Sequence, residues 1–185
     1  LTGSFAASGL YAYIAGSPHV FMELYGVTEK QYGWIFAIIA LGLVTASQFN
    51  TLLLRKYTSE YIVKITLICQ VFFGTALLLG ALFNIIEMYS MIVLVFLFLS
   101  TQGFAFPNTS ALSLAPFERS AGTASALMGA LQLGIGALIT GLVSMLSNET
   151  PIPMTAIMFM CAGVSLTLLF LGNRRIKKLD IAVIS

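Results

Sequence analysis

Residues 121–141 read AGTASALMGALQLGIGALITG, an uncharged stretch unusually dense in small side chains. Gly122, Ala126, Ala130 and Gly134 recur at every fourth position, and Gly129, Ala137 and Gly141 form a second ladder. In water each glycine would cost a helix about 1 kcal/mol. Inside a bilayer unpaired backbone groups are forbidden, and small residues let helices approach closely enough to gain packing contacts. The stretch reads as a membrane helix that packs on another backbone, and the rest of the chain must supply the partner.

The whole chain has the matching composition. Its 185 residues are 58% hydrophobic and 9% charged, against roughly 25% charged in soluble domains. No polar stretch is long enough for a separate soluble domain. The expected fold is therefore all-α: a polytopic bundle of six transmembrane helices in the lipid bilayer, near 2–23, 32–54, 61–83, 89–113, 120–146 and 153–172. Each apolar run has about 20 residues or more, enough to cross a hydrocarbon core of about 30 Å. Residues 1–175 form the bundle in this reading, and 176–185 a cytoplasmic basic tail. The opening at Leu1 has neither a basic leader nor a cleavage site, and is read as neither a signal peptide nor a natural start.

Basic residues orient the bundle. Arg55, Lys56, Lys64, Arg119, Arg174, Arg175, Lys177 and Lys178 fall on the side shared by both termini, and Lys30 lies opposite. Such asymmetry marks the cytoplasmic face, so both ends are expected inside. Tyr25, Tyr32, Trp34 and Tyr89 near outer ends, and Tyr57 and Tyr61 near an inner end, suit interfacial belts.

The helices differ in character. In the first, Ser4, Ser8, Tyr11 and Ala15 make a small, polar face fit for protein or a watery cavity, and Pro18 predicts a kink. His19 and Glu23 follow four apart, either a proton-sensing pair or an interfacial pair in water. Gly33, Ala37 and Ala40 repeat the small-residue pattern in the second helix, making it a second packing helix and the expected partner of the fifth. Near its end, Gln48 and Asn50 could contact a ligand, cap the helix or bond a neighbour. The third and sixth helices are mostly large and apolar, which places them toward lipid. The fourth carries Ser100, Thr101, Gln102, Phe106, Pro107, Asn108 and Thr109 close to mid-membrane. Pro107 frees the carbonyl of Gly103, predicting an interrupted helix beside a cavity, or else a kink satisfied by neighbouring Ser and Thr.

Other chemistry is missing. The acids Glu23, Glu29, Glu60, Glu87, Glu118, Glu149 and Asp180 lie in or beside loops, and His19 is the single histidine. No metal, cofactor or enzymatic constellation is expected. Cys69 and Cys161 read as small buried hydrophobes. The tail beginning at Asn173 suits anionic lipid rather than nucleic acid. Proton coupling usually needs an ionisable group inside the membrane, so any such carboxylate is expected outside these residues.

Residues 12–27, AYIAGSPHVFMELYGV, with 121–138, AGTASALMGALQLGIGAL, resemble the C-terminal half of the Bcr/CflA group of drug-resistance transporters in the major facilitator superfamily. The resemblance implies twelve helices in two bundles, alternating access, and export of drug-like small molecules against protons across the inner membrane. It also implies a missing N-terminal six-helix half. In that superfamily the first and fourth helices of each half line the cavity, the second and fifth meet the other half, and the third and sixth face lipid. The residues this brings to a substrate site are Tyr11, Tyr13, Ser17, Gln102, Phe106 and Asn108, with Gln132 reaching in from the fifth helix. The family's cytoplasmic signature after the second helix survives here only as Leu54, Arg55, Lys56 and Tyr57, without its acid and glycine. The competing reading is a non-transporting six-helix membrane protein, or a truncated product, that assembles through its small-residue helices.

Overall fold

The computed structural model describes residues 1–184; the side chains of Glu118, Arg119 and residues 173–184 are outside that description. It contains α1 (Thr2–Pro18), α2 (Glu29–Leu53), α3 (Ser59–Leu82), α4 (Met88–Leu114), α5 (Ala121–Leu146) and α6 (Ile152–Ile184), and no strand among the described residues. Five of these helices are long and apolar enough to cross a membrane. The remaining one, α1, runs on into a π-helical segment, His19–Leu24, giving a continuous helical rod from Thr2 to Leu24. The chain is thus a multi-pass helical membrane protein.

Local chemistry sets the helix ends. Thr28 starts α2 with a reciprocal capping box: its hydroxyl accepts from the Gln31 N–H, while its own N–H donates to Gln31 Oε1 at 3.0 Å. Thr58 caps α3 by the single bond its hydroxyl accepts from the Tyr61 N–H at 3.4 Å. At the far end of α3, Asn84 adopts a left-handed φ of 52°. That conformation lets Ile85 N–H reach Gly80 O and Asn84 N–H reach Ala81 O, satisfying the last carbonyls of the helix. Pro116 falls in a 3-10 segment, Ala115–Ser120, and Phe117 has non-helical angles, which separates α4 from α5.

Neither Pro18 nor Pro107 interrupts the helical backbone. Residues 88–114 are one uninterrupted α-helix through Pro107. Next to the carbonyl that Pro107 frees, Asn108 Nδ2 donates to Phe104 O and Thr109 Oγ1 to Ala105 O, so neighbouring side chains support the backbone. After Pro18 the helix widens into the π segment rather than breaking, and Tyr25 N–H donates five residues back to Val20 O. Such π turns recur at functional sites.

Packing follows a simple plan. α1 lies among α4, α5 and α6; α4 lies among α1, α2 and α3; α3 also packs on α6. The core joins Ala12 and Tyr13 of α1 and Phe21 of the π segment with Met91, Phe98 and Leu99 of α4 and Met154 and Met158 of α6. α3 and α6 bury one face and expose large apolar side chains such as Phe72, Phe83, Met160 and Phe170 on the other. The expected tail at 176–185 has a helical backbone to Ile184, and its side chains lie outside the described set.

One expected pairing requires correction, that of the small-residue stripes of the fifth and second helices with each other. α5 docks on α1 and makes no packed pairing with α2. Gly33, Ala37 and Ala40 are exposed, as are Gly122, Ala126, Ala130, Gly134 and Gly141. A methyl group added at Gly33, Gly122, Gly134 or Gly141 would meet nothing within 4 Å. Within this chain, close packing falls on Gly42 and Ala46 of α2, Gly103 of α4 and Gly136 of α5. A methyl at Gly103 would press on the Leu43 carbonyl and lie 2.8 Å from Ala46 Cβ. One at Gly136 would lie 2.7 Å from the Tyr11 ring. In a sequence that is apolar all round, small-residue spacing marks stripes able to pack but not the stripe that does.

Candidate functional site

Because α2 and α5 stand apart with α1 and α4 between them, the bundle carries a cleft. Its floor is α1 and α4 and its walls are α2 and α5. Tyr11, Gln102, Phe106 and Gln132 converge there with Ser47 and Pro107 around a cavity of about 310 Å³. Four of the seven expected substrate residues therefore meet at one place, brought from three helices. Phe106 is 47% exposed and presents its ring. An aromatic pair with two amides suits a bulky, weakly polar molecule through stacking and a few hydrogen bonds.

The amide of Gln102 is anchored. Its Nε2 donates to the Ala6 carbonyl of α1 at 2.7 Å, and Gln70 Nε2 of α3 approaches the same oxygen at 3.3 Å. Two helices are tied to one carbonyl of α1. Gln70 did not stand out in the sequence because it sits inside a mostly apolar helix, although a solitary amide in such a helix is itself a sign of an interhelical bond.

Tyr13, Ser17 and Asn108 lie outside this cavity. Tyr13 is fully buried, stacks on Phe36 with ring centroids 6.0 Å apart, and borders a smaller apolar space against α2. Ser17 shares a 2.8 Å hydrogen bond with the Tyr32 hydroxyl. Asn108 Nδ2 donates to Asn50 Oδ1 at 2.6 Å, and both residues are buried. Of the roles open to Asn50, bonding a neighbouring helix is the one formed. Asn108 faces that seam because the residues after Gly103 on α4 press directly against α2.

On the opposite side from Arg55 and Lys56, His19 joins two segments. Its Nδ1 lies 2.6 Å from Glu23 Oε2 and its Nε2 lies 2.7 Å from the Asn148 carbonyl in the α5–α6 loop. Both partners are oxygen acceptors, so both contacts form together only when each ring nitrogen carries a proton. Tyr25, in the adjoining loop, donates its hydroxyl to Ile86 O, and burial raises its phenol above the ordinary value. Trp34 and Tyr89 are mostly exposed and free to sit in an interface. Among the described residues there is no group of three His, Cys, Asp or Glu side chains able to hold a metal.

Six helices, with the first and fourth flooring a cleft walled by the second and fifth, make one half of a transporter of the major facilitator superfamily. The chain is 30% identical over 175 residues to the bicyclomycin resistance protein homolog of Haemophilus influenzae, covering 94% of this chain and 44% of that protein. It is also 30% identical over 176 residues to the uncharacterized MFS-type transporter YdgK of Bacillus subtilis, covering 93% of this chain and 42% of that protein. No family model matches the chain. No solved structure matches it either. The chain belongs to the Bcr-like transporters of the superfamily and corresponds to their C-terminal half. It spans less than half the length of the curated relatives it matches.

Proposed function

We propose that the complete protein exports drug-like small molecules across the inner membrane by alternating access in exchange for protons, with both ends of this half cytoplasmic. The observation that carries the reading is the convergence of Tyr11, Gln102, Phe106 and Gln132 in a cleft that this chain's own helices leave open along one side. The exposed small residues belong to α2 and α5, the two helices that wall the cleft, which suits a second six-helix half packing on them. A half-bundle whose walls are smooth can slide or rock against its counterpart without losing backbone pairing. The bicyclomycin resistance protein homolog supports an antibiotic-like cargo by its name. With the acids of this chain in or beside loops, the group that carries protons is assigned to the half beyond these residues.

The test uses the full-length protein in inverted vesicles. Phe106→Ala combined with Gln132→Ala removes an aromatic face and an amide from the cavity and leaves the Gln102–Ala6 anchor in place. The expected result is a reordered preference across a panel of drugs with an unchanged amount of folded protein. An unaltered preference would remove the cavity from substrate recognition.

A further inference from the structure

A second cavity is larger than the cleft. It is a groove of about 470 Å³ on a different side, between the basic-loop ends of α2 and α3 and floored by α4. Leu53 and Tyr57 form one lip, while Tyr61, Ile65, Cys69 and Phe73 run along α3 as its wall. From Tyr61 to Phe73 the groove follows 12 residues of helix, roughly 18 Å at 1.5 Å per residue. That is about the depth of one leaflet, half of a core of about 30 Å. On the floor, Thr101 Oγ1 turns to its own helix and donates to Phe98 O at 2.6 Å. Thr66 Oγ1 likewise donates to Ile62 O at 2.7 Å, and Ser100 alone on the floor keeps a buried hydroxyl without a partner among the described residues. The slot is thus elongated and largely apolar, without the convergent polar groups that fix a drug.

The mouth of the slot is different. Tyr57 and Tyr61 stack there with centroids 5.3 Å apart, and Lys56 Nζ lies 5.6 Å from the Tyr57 ring. Arg55 and Lys56 occupy the turn that carries this lip, and Lys64 follows one turn into α3; all three are exposed. Among the described residues none of them forms an ion pair, since the single such contact is His19–Glu23. Glu60, the nearest acid in sequence, opens onto a separate pocket with Thr2 and Gly3. Cations beside an aromatic mouth, above a leaflet-deep apolar slot, complement an amphiphile with an anionic head.

We propose that this groove is a binding site for an anionic phospholipid, with one acyl chain along α3 and the headgroup at Arg55 and Lys56. The site is separate from the cleft and does not depend on what the cleft transports. Occupancy would bridge α2 and α3, which do not otherwise pack on one another, through the lipid chain resting on α4.

The experiment reads lipid preference from tryptophan quenching in the full-length protein. Ile68→Trp places a reporter beside the groove, with Trp34→Phe and any tryptophans beyond these residues replaced. The protein is reconstituted with phosphatidylglycerol or phosphatidylcholine brominated in the acyl chain. Expected is stronger quenching by the anionic lipid at equal mole fraction, with the preference falling about fivefold for each cation removed in Arg55→Gln and Lys56→Gln. Lys30→Gln, on the opposite side, should leave it unchanged. Ile65→Trp, tested as added bulk with the reporter moved to a bimane at Cys69's neighbour Ile68→Cys, should abolish the preference by filling the slot. Equal quenching by the two lipids, or a preference that survives Arg55→Gln with Lys56→Gln, overturns the proposal.

Discussion

Gly103→Ala should destabilise the bundle, although alanine is the better helix former. The added methyl would sit against the Leu43 carbonyl, 2.8 Å from Ala46 Cβ and 2.9 Å from Ser47 N. These are backbone atoms and a short side chain, so no flexible end can move aside. Relief requires α2 and α4 to part by several tenths of an ångström or more. Overpacking of this kind costs about 1–3 kcal/mol. Parting also strains the 2.6 Å bond between Asn108 and Asn50 on the same seam, and interhelical bonds in membranes are worth about 0.6–1.7 kcal/mol. Against this stands a gain of at most about 1 kcal/mol from replacing glycine in a helix. The expected net loss is about 1–3 kcal/mol, read as a shift in the unfolding midpoint of the full-length protein in detergent. Gly163→Ala on α6 is the matched control, because nothing lies within 4 Å of its added methyl and α6 is not a wall of the cleft. If Gly103→Ala proved as stable as Gly163→Ala, the close crossing of α2 and α4 would be refuted.

Two further outcomes follow from the polar contacts. Asn50→Ala and Asn108→Ala, measured singly and together, should show a coupling of about 0.6–1.7 kcal/mol, and additive losses would mean that the two amides do not meet. His19→Phe should loosen the α5–α6 loop, seen as faster hydrogen exchange at Thr150, whose N–H is held by Asn148. In the parent protein the protection of that amide, measured against an unstructured peptide at the same pH so that the base-catalysed rise in exchange cancels, should fall as pH rises and the imidazole loses one of its two N–H donors; protection indifferent to both changes would remove His19 from any role in holding that loop.

Much of this architecture could be read from the chain because membranes impose one-dimensional rules. Six apolar runs of sufficient length had to be helices, since no other open structure satisfies its backbone in lipid. The polarity of Tyr11 and Gln102 pointed to a cavity because polar groups are costly where they face hydrocarbon. The same cost could not separate cavity from seam. Asn108 and Gln102 are about 1.7 turns apart on α4, yet one closes on Asn50 and the other reaches both the cleft and Ala6. Which happens depends on where α2 crosses, a matter of contacts between residues 58 apart in sequence.

The ladder at Ala121–Gly141 marks the same boundary. By itself, the sequence determined that this segment crosses the membrane as a helix and that its glycines permit a close neighbour. Tertiary structure alone decided that Gly136 takes the close contact with Tyr11 while Gly122, Gly134 and Gly141 stay open. The physical reason is that lipid tails and apolar side chains solvate a small-residue stripe almost equally well. Choice of face therefore rests on van der Waals fit between particular surfaces, which periodicity does not encode.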